Sequence, residues 1–213
     1  MSTDTNPYSD LAPEIKISVI GDSRVGKSTL LAKIITSQFD ESIDPTIGAT
    51  SQKFNYFYQN NWYSLTFFDT AGQERYHSLS SFYLRDSTAI LICFDPLQNN
   101  WIDSINQWKS LALDTCNAPI IAVATKSDQW RDKIEITSTL RSKIHKHCDI
   151  NDVLITSSLV FDQAWEDMKN MLLNTIMMKS TNIASTTVIL EKTPSKDSVF
   201  NFFHNLFSTC SLI

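Results

Sequence analysis

The stretch Ile15-Lys16-Ile17-Ser18-Val19-Ile20-Gly21-Asp22-Ser23-Arg24-Val25-Gly26-Lys27-Ser28 decides how the rest of the chain is read. Its first six residues form the apolar run of a strand, and Ser28–Thr36 follows with the pattern of a helix. Between them, Gly21 to Ser28 fits the spacing GxxxxGK[ST] in the strand-then-helix context that a phosphate-binding loop requires. Glycines let backbone N–H groups turn inward around phosphates, and the helix N-terminus adds its positive end. Lys27 would neutralise β- and γ-oxygens, and Ser28 offers a hydroxyl to Mg²⁺. A plain Gly/Ser turn capping a helix is the blander reading, and the placement argues against it.

Working outward, strands and helices alternate. Gln52–Tyr58 and Trp62–Phe68 read as strands of period two, with Phe54, Tyr56 and Tyr58 on one face and Tyr63, Leu65 and Phe67 likewise. Asn60-Asn61 between them predicts a tight antiparallel hairpin. A buried strand at Ala89–Phe94 precedes a helix near Trp101–Leu113. Pro119–Ala124 is the next strand, then a helix around Thr137–His147 and a short strand at Val153–Thr156. A last helix carries Phe161, Ala164, Trp165, Met168, Met171, Leu172 and Ile176 at helical spacing, a core-facing stripe. This alternation predicts an α/β fold, a doubly wound, mostly parallel six-stranded sheet with one antiparallel edge strand. Residues 1–14 read as an N-terminal extension, 15–178 as the domain, and 179–213 as a Ser/Thr/Asn-rich tail.

Composition sets bounds on this reading. The chain has 213 residues, 42% of them hydrophobic, enough for a sizeable core. A net charge of −5, without a basic stripe, gives no footing for nucleic acid. Four dispersed cysteines with no CxxC pair suit reduced thiols in the cytosol. The polar N-terminus has no signal-peptide core, and no apolar run approaches a membrane span. Glycine is scarce: Gly21, Gly26, Gly48 and Gly72 are all there is.

A second signature, Asp69-Thr70-Ala71-Gly72-Gln73-Glu74, begins at the end of a strand. Asp69 there can hold the Mg²⁺ shell, the Gly72 N–H can meet a γ-phosphate, and Gln73 can orient an attacking water. In Asp44-Pro45-Thr46-Ile47-Gly48, Thr46 offers a second hydroxyl to Mg²⁺; taken alone, the segment is equally an ordinary proline turn.

With these motifs in order, residues 15–178 resemble a Ras-superfamily small GTPase of the Rab type, a P-loop small G domain. Ala71-Gly72-Gln73-Glu74-Arg75-Tyr76-His77-Ser78-Leu79 and Thr46-Ile47-Gly48-Ala49 are similar to the early-endosomal Rab subgroup. The resemblance implies that Gly21, Asp22, Ser23, Arg24, Val25, Gly26, Lys27, Ser28 and Thr29 hold the phosphates. It places Phe39 against guanine and makes Gln73 and Lys27 the catalytic pair. Thr125-Lys126-Ser127-Asp128 would read the base, with Asp128 accepting from N1–H and the amino group and Lys126 packing along the ring. Thr156, Ser157 and Ser158 would form the last base-contacting loop, with the Ser158 N–H near O6. Ser28, Thr46 and Asp69 would serve Mg²⁺, and GTP or GDP would be the ligand.

The departures are specific. Thr125 stands where the family has Asn, a change the Rho family shares, so guanine selectivity is expected to survive. Ser158-Leu159 replaces Ala-Lys, which removes a cationic stem. Ser51, Phe68 and Tyr83 stand where Rab proteins present Phe, Trp and Tyr, a change expected to alter effector choice. Arg85-Asp86 replaces Arg-Gly. Arg24, where a small residue is usual, has two readings: a guanidinium over the phosphates acting in cis, or an ordinary surface cation.

The chain ends Cys210-Ser211-Leu212-Ile213, a C-a-a-X box for prenylation of Cys210. One prenyl chain anchors only marginally, and Lys179, Lys192 and Lys196 against Glu191 and Asp197 make no polybasic patch. The aromatic run Val199, Phe200, Phe202, Phe203, Leu206 and Phe207 is either an interfacial helix or a segment for a protein groove. The expectation is a monomeric GTP-dependent trafficking switch on the cytosolic face of vesicle or endosomal membranes. It would hydrolyse GTP slowly and work with effector, exchange-factor and GTPase-activating partners and a prenyl-protein carrier. A same-fold interaction module that does not cycle nucleotide is the main rival, and an adenine-dependent P-loop enzyme the lesser one, opposed by Asp128.

Overall fold

In the computed structural model, β1 (Glu14–Ile20) lies inside the sheet with a strand on either side and is buried at every position from Ile17 to Ile20. The structure describes residues 12–36, 49–70, 82–131, 133–157 and 169–177. Among them, six strands form one sheet in the order β2-β3-β1-β4-β5-β6. The others are β2 (Ala49–Tyr58), β3 (Asn61–Thr70), β4 (Ala89–Phe94), β5 (Ile120–Ala124) and β6 (Val153–Ile155). Every pairing is parallel except β2 with β3, so the single antiparallel edge is where the alternation predicts it.

Two hydrophobic layers flank the sheet. On one face Ile15, Ile17, Val19, Leu65, Phe67 and Leu91 meet Leu30, Leu31 and Ile34 of α1 (Lys27–Thr36) and Leu172, Leu173 and Ile176 of the helical residues 169–177. On the other, Ile20, Ile90, Ile92 and Phe94 meet Ile105, Trp108 and Ala112 of α2 (Trp101–Thr115) and Leu140 and Ile144 of α3 (Lys133–Cys148). Each strand of β4 type, buried at all six positions, can only exist between two such layers. Of the terminal helical stripe, Leu172 and Ile176 are buried and Met171 packs against the core. Phe161, Ala164, Trp165 and Met168 lie outside the described residues.

The hairpin turn differs from expectation by one residue. Tyr58 pairs with Asn61, so the turn is Gln59-Asn60, at φ +46° and +62°, and Asn61 already belongs to β3. Two successive left-handed residues give the mirror-image turn whose twist matches the strands, and Gln59 fills a place usually held by Asn or Gly. Left-handed backbone without glycine recurs at Arg24, Asp86, Lys126 and Asp149. The helix expected from Thr137 starts earlier, at Lys133.

The order of strands fixes where a ligand belongs. From β1 the chain first crosses to the edge strand β2, turns back into β3 beside β1, and then passes to β4 on the other side. The carboxyl ends of β1 and β4 therefore border the crevice at the topological switch point.

Candidate functional site

Gly21 follows the last residue of β1 and enters this crevice at φ +139°. A Cβ there would fall 2.1 Å from the Cys93 carbonyl oxygen of β4, so sterics as well as dihedral require glycine. Gly26, at φ +99°, has ordinary space around it, and its requirement is the dihedral alone. The carbonyl of Gly26 accepts from Leu30 N at 2.9 Å, which starts α1 directly behind the loop. Lys27 is buried, and its ammonium donates back to Gly21 O at 2.9 Å and Asp22 O at 2.7 Å. Burial lowers its pKa, while Cys93, Asp69 and Asp22 pull it back up. A buried cation ringed by its own loop is one that an incoming anion would complement.

Asp69, penultimate in β3 and 3% exposed, lies close enough to bias Lys27, and Ser28 opens the first turn of α1. Their oxygens are hard donors of the kind Mg²⁺ accepts. Among the described residues no three His, Cys, Asp or Glu side chains gather into a metal cage. A cation here would draw its remaining ligands from phosphate and water, as Mg²⁺ does.

The base-side loops start from the ends of β5 and β6. Thr125, buried, places its hydroxyl 2.5 Å from Val25 O in the phosphate loop and 3.0 Å from Phe94 O. It has one proton and donates to one of them at a time. Thr125 thereby ties the phosphate loop to the base loop, which is the structural work its hydroxyl can do without an amide. Lys126 takes φ +56° and pairs its ammonium with the buried Asp95 at 3.0 Å; Asp95 also accepts from Leu97 N. Ser157 Oγ donates to Asp128 Oδ1 at 2.5 Å, and Ser127 N to Thr156 O at 3.1 Å. The two loops are thus stitched to each other, and the Asp128 carboxylate is aimed by Ser157.

The structure accordingly gathers Gly21, Asp22, Ser23, Arg24, Val25, Gly26, Lys27, Ser28, Thr29 and Asp69 at one end of the crevice, and Thr125, Lys126, Asp128, Thr156 and Ser157 at the other. Arg24 is exposed at φ +62° and, among the described residues, pairs with no carboxylate. Phe39, Thr46, Gly72, Gln73, Ser158 and Cys210 lie outside the described residues. Three contributors escape a sequence reading. Asp95, the partner of Lys126, follows β4 in what reads as a loop. Ser157 is legible as a loop residue but not as the one that aims Asp128. Trp108 donates its indole N–H to Asp22 Oδ1 at 2.8 Å across 86 positions of sequence.

A glycine-hinged loop between β1 and α1, opening on the switch point of a doubly wound sheet, defines a P-loop protein of the small G fold. The Ras family model matches residues 16–180, and the chain belongs to the Ras family. It is 30% identical over 146 residues to Ras-related protein Rab-22A of Homo sapiens, covering 68% of this chain and 74% of that protein. It is 36% identical over 95 residues to Ras-related protein Rab-31 of Rattus norvegicus, 45% of this chain and 49% of that one. GTP-binding protein ypt5 of Schizosaccharomyces pombe is 33% identical over 127 residues, 58% and 60%. The chain is a Rab-like small GTPase. Among the described residues no helix is long and apolar enough to cross a membrane.

Proposed function

We propose that this chain binds GTP and GDP with Mg²⁺, hydrolyses GTP slowly, and recruits effector proteins to a vesicle or endosomal membrane in its GTP state. The observation that carries this reading is the Thr125 hydroxyl on Val25 O. It supports a site whose phosphate and base ends are fixed relative to each other despite the loss of the family's Asn. Lys27 and the backbone of residues 21–27 would receive the phosphates, and Ser28 and Asp69, with Thr46, would hold Mg²⁺. Bound there, Mg²⁺ neutralises charge on the phosphate oxygens. Asp128, aimed by Ser157, would accept from the N1–H and amino group of guanine, a pattern adenine does not offer. Gln73 would place the attacking water, and Gly72 would meet the γ-phosphate; Phe39 and the Ser158 N–H would face the base. Hydrolysis is then phosphoryl transfer to water, governed by positioning and electrostatics, and a trans-acting activator would supply its speed.

Prenylation of Cys210 would attach the protein to membrane, with residues 199–207 as a second, aromatic contact. Exchange factors, activating proteins and a prenyl-protein carrier complete the partner set this reading implies.

The deciding experiment is mass spectrometry of the nucleotide released from purified full-length protein, paired with a single-turnover assay. GDP with slow turnover is the expected result. No nucleotide would favour the non-cycling interaction module, and ATP or ADP would overturn guanine recognition.

A further inference from the structure

An acid inside an anion-binding loop puts a negative charge beside the phosphate site, and Asp22 is such an acid. It follows Gly21 directly, its carbonyl accepts from the Lys27 ammonium at 2.7 Å, and its charge is felt at Lys27. Left to itself, that carboxylate would compete for Lys27 and repel any phosphate the loop receives. It is instead engaged by Trp108 Nε1 at 2.8 Å. An indole N–H can only donate, so this contact has one polarity. The donor is rigidly mounted. Trp108 is 2% exposed in the core beneath α2. The next residue, Lys109, reaches the carbonyls of Cys148 and Asp149 at 2.7 and 3.1 Å, and Asn106 reaches His147 O at 3.2 Å. α2 is thus fastened to the end of α3. Pairing is not automatic for a buried indole here: Trp130 Nε1 has no hydrogen-bond partner among the described residues.

We infer that Trp108 is a positioning residue for nucleotide, its indole N–H holding the Asp22 carboxylate off the phosphate site. The inference rests on the guanine-nucleotide reading above and adds to it a tertiary device that lets an acidic loop retain an anion. A hydrogen bond to a charged acceptor is among the stronger ones, so its loss has a measurable effect on retention.

The test is a double-mutant cycle on full-length protein loaded with a fluorescent GDP analogue. Trp108→Phe keeps an aromatic ring and removes the donor; release is expected to be about tenfold faster. In an Asp22→Asn background, where no charge remains to be held, the same change should alter release less than about twofold. Equal acceleration in both backgrounds means packing alone, and an unchanged rate in Trp108→Phe means no role; either overturns the inference. A second readout needs no nucleotide and no change at Trp108. In the ¹H–¹⁵N spectrum, Asp22→Ala should move the Trp108 indole signal upfield and leave that of Trp130 in place. An unmoved Trp108 signal removes the hydrogen bond itself. If the indole signal moves but the wild type binds no guanine nucleotide, the contact stands while the functional reading and the role drawn from it both fall.

Discussion

At the phosphate end, residues 21–27 are closed by their own backbone: two glycines at positive φ, and a lysine that donates to two carbonyls of the same loop. At the base end, residues 125–128 and 156–157 are held by side chains reaching between loops: Thr125 to Val25, Ser157 to Asp128, Lys126 to Asp95. The first arrangement depends on dihedrals and close approach, which admit almost no substitute for glycine. The second depends on having a donor within reach, and a hydroxyl can take the place of an amide. This is why the phosphate loop holds the GxxxxGK[ST] spacing, while the base loops, which depart from the family pattern at Thr125, are held by side-chain connections.

Substitutions at each end can break that contrast. Gly21→Ala puts a methyl against the Cys93 carbonyl in a backbone region closed to alanine, and should destabilise by about 3 kcal/mol or more in urea unfolding. A near-neutral result would mean the loop is held by something other than its backbone. Thr125→Val preserves shape and removes the donor. Phe94 O keeps the Thr125 backbone N–H, so only Val25 O is abandoned, at a cost of about 1–2 kcal/mol in the same assay. Restoring the family's Asn at this position should recover most of it. Ser157→Ala leaves Asp128 in place without its guide; GDP affinity should fall about fivefold with the unfolding midpoint little changed. Arg24→Gly removes a left-handed arginine, and stability should rise by less than about 1 kcal/mol. Its single-turnover GTP hydrolysis should match the wild type, and a slower rate would make the guanidinium a participant at the phosphate end.

The same contrast governs what the amino-acid sequence discloses. Gly21, Gly26 and Lys27 were readable because a backbone-built loop imposes fixed spacing on adjacent residues. The mostly parallel sheet followed from alternation, since parallel strands need crossovers and β4 is apolar at every position. The hairpin turn moved by one residue because Gln59, like Asn60, occupies left-handed space that composition assigns to Asn or Gly. α3 begins four residues before its periodicity becomes clear: in its first turn Ile134 is exposed and only Ile136 packs against the core. Trp108 reads as one more core aromatic at helical spacing, and its contact with Asp22 belongs to tertiary structure alone. Asp95, and the contact of Ser157 with Asp128, were invisible for the same reason: a side chain that acts by reaching another loop leaves no period.

Among the described residues, six other than glycine hold left-handed backbone: Arg24, Gln59, Asn60, Asp86, Lys126 and Asp149. In a chain with four glycines this has a consequence in the unfolded state. Every such residue carries native strain of about 1 kcal/mol, yet its side chain narrows the conformations open to the denatured chain, which loses correspondingly less entropy on folding. The two effects are of similar size and opposite sign. Turns that look like defects when only the folded protein is considered therefore leave net stability nearly untouched, whereas Gly21, pressed against the Cys93 carbonyl, is a glycine whose replacement no denatured-state gain can offset.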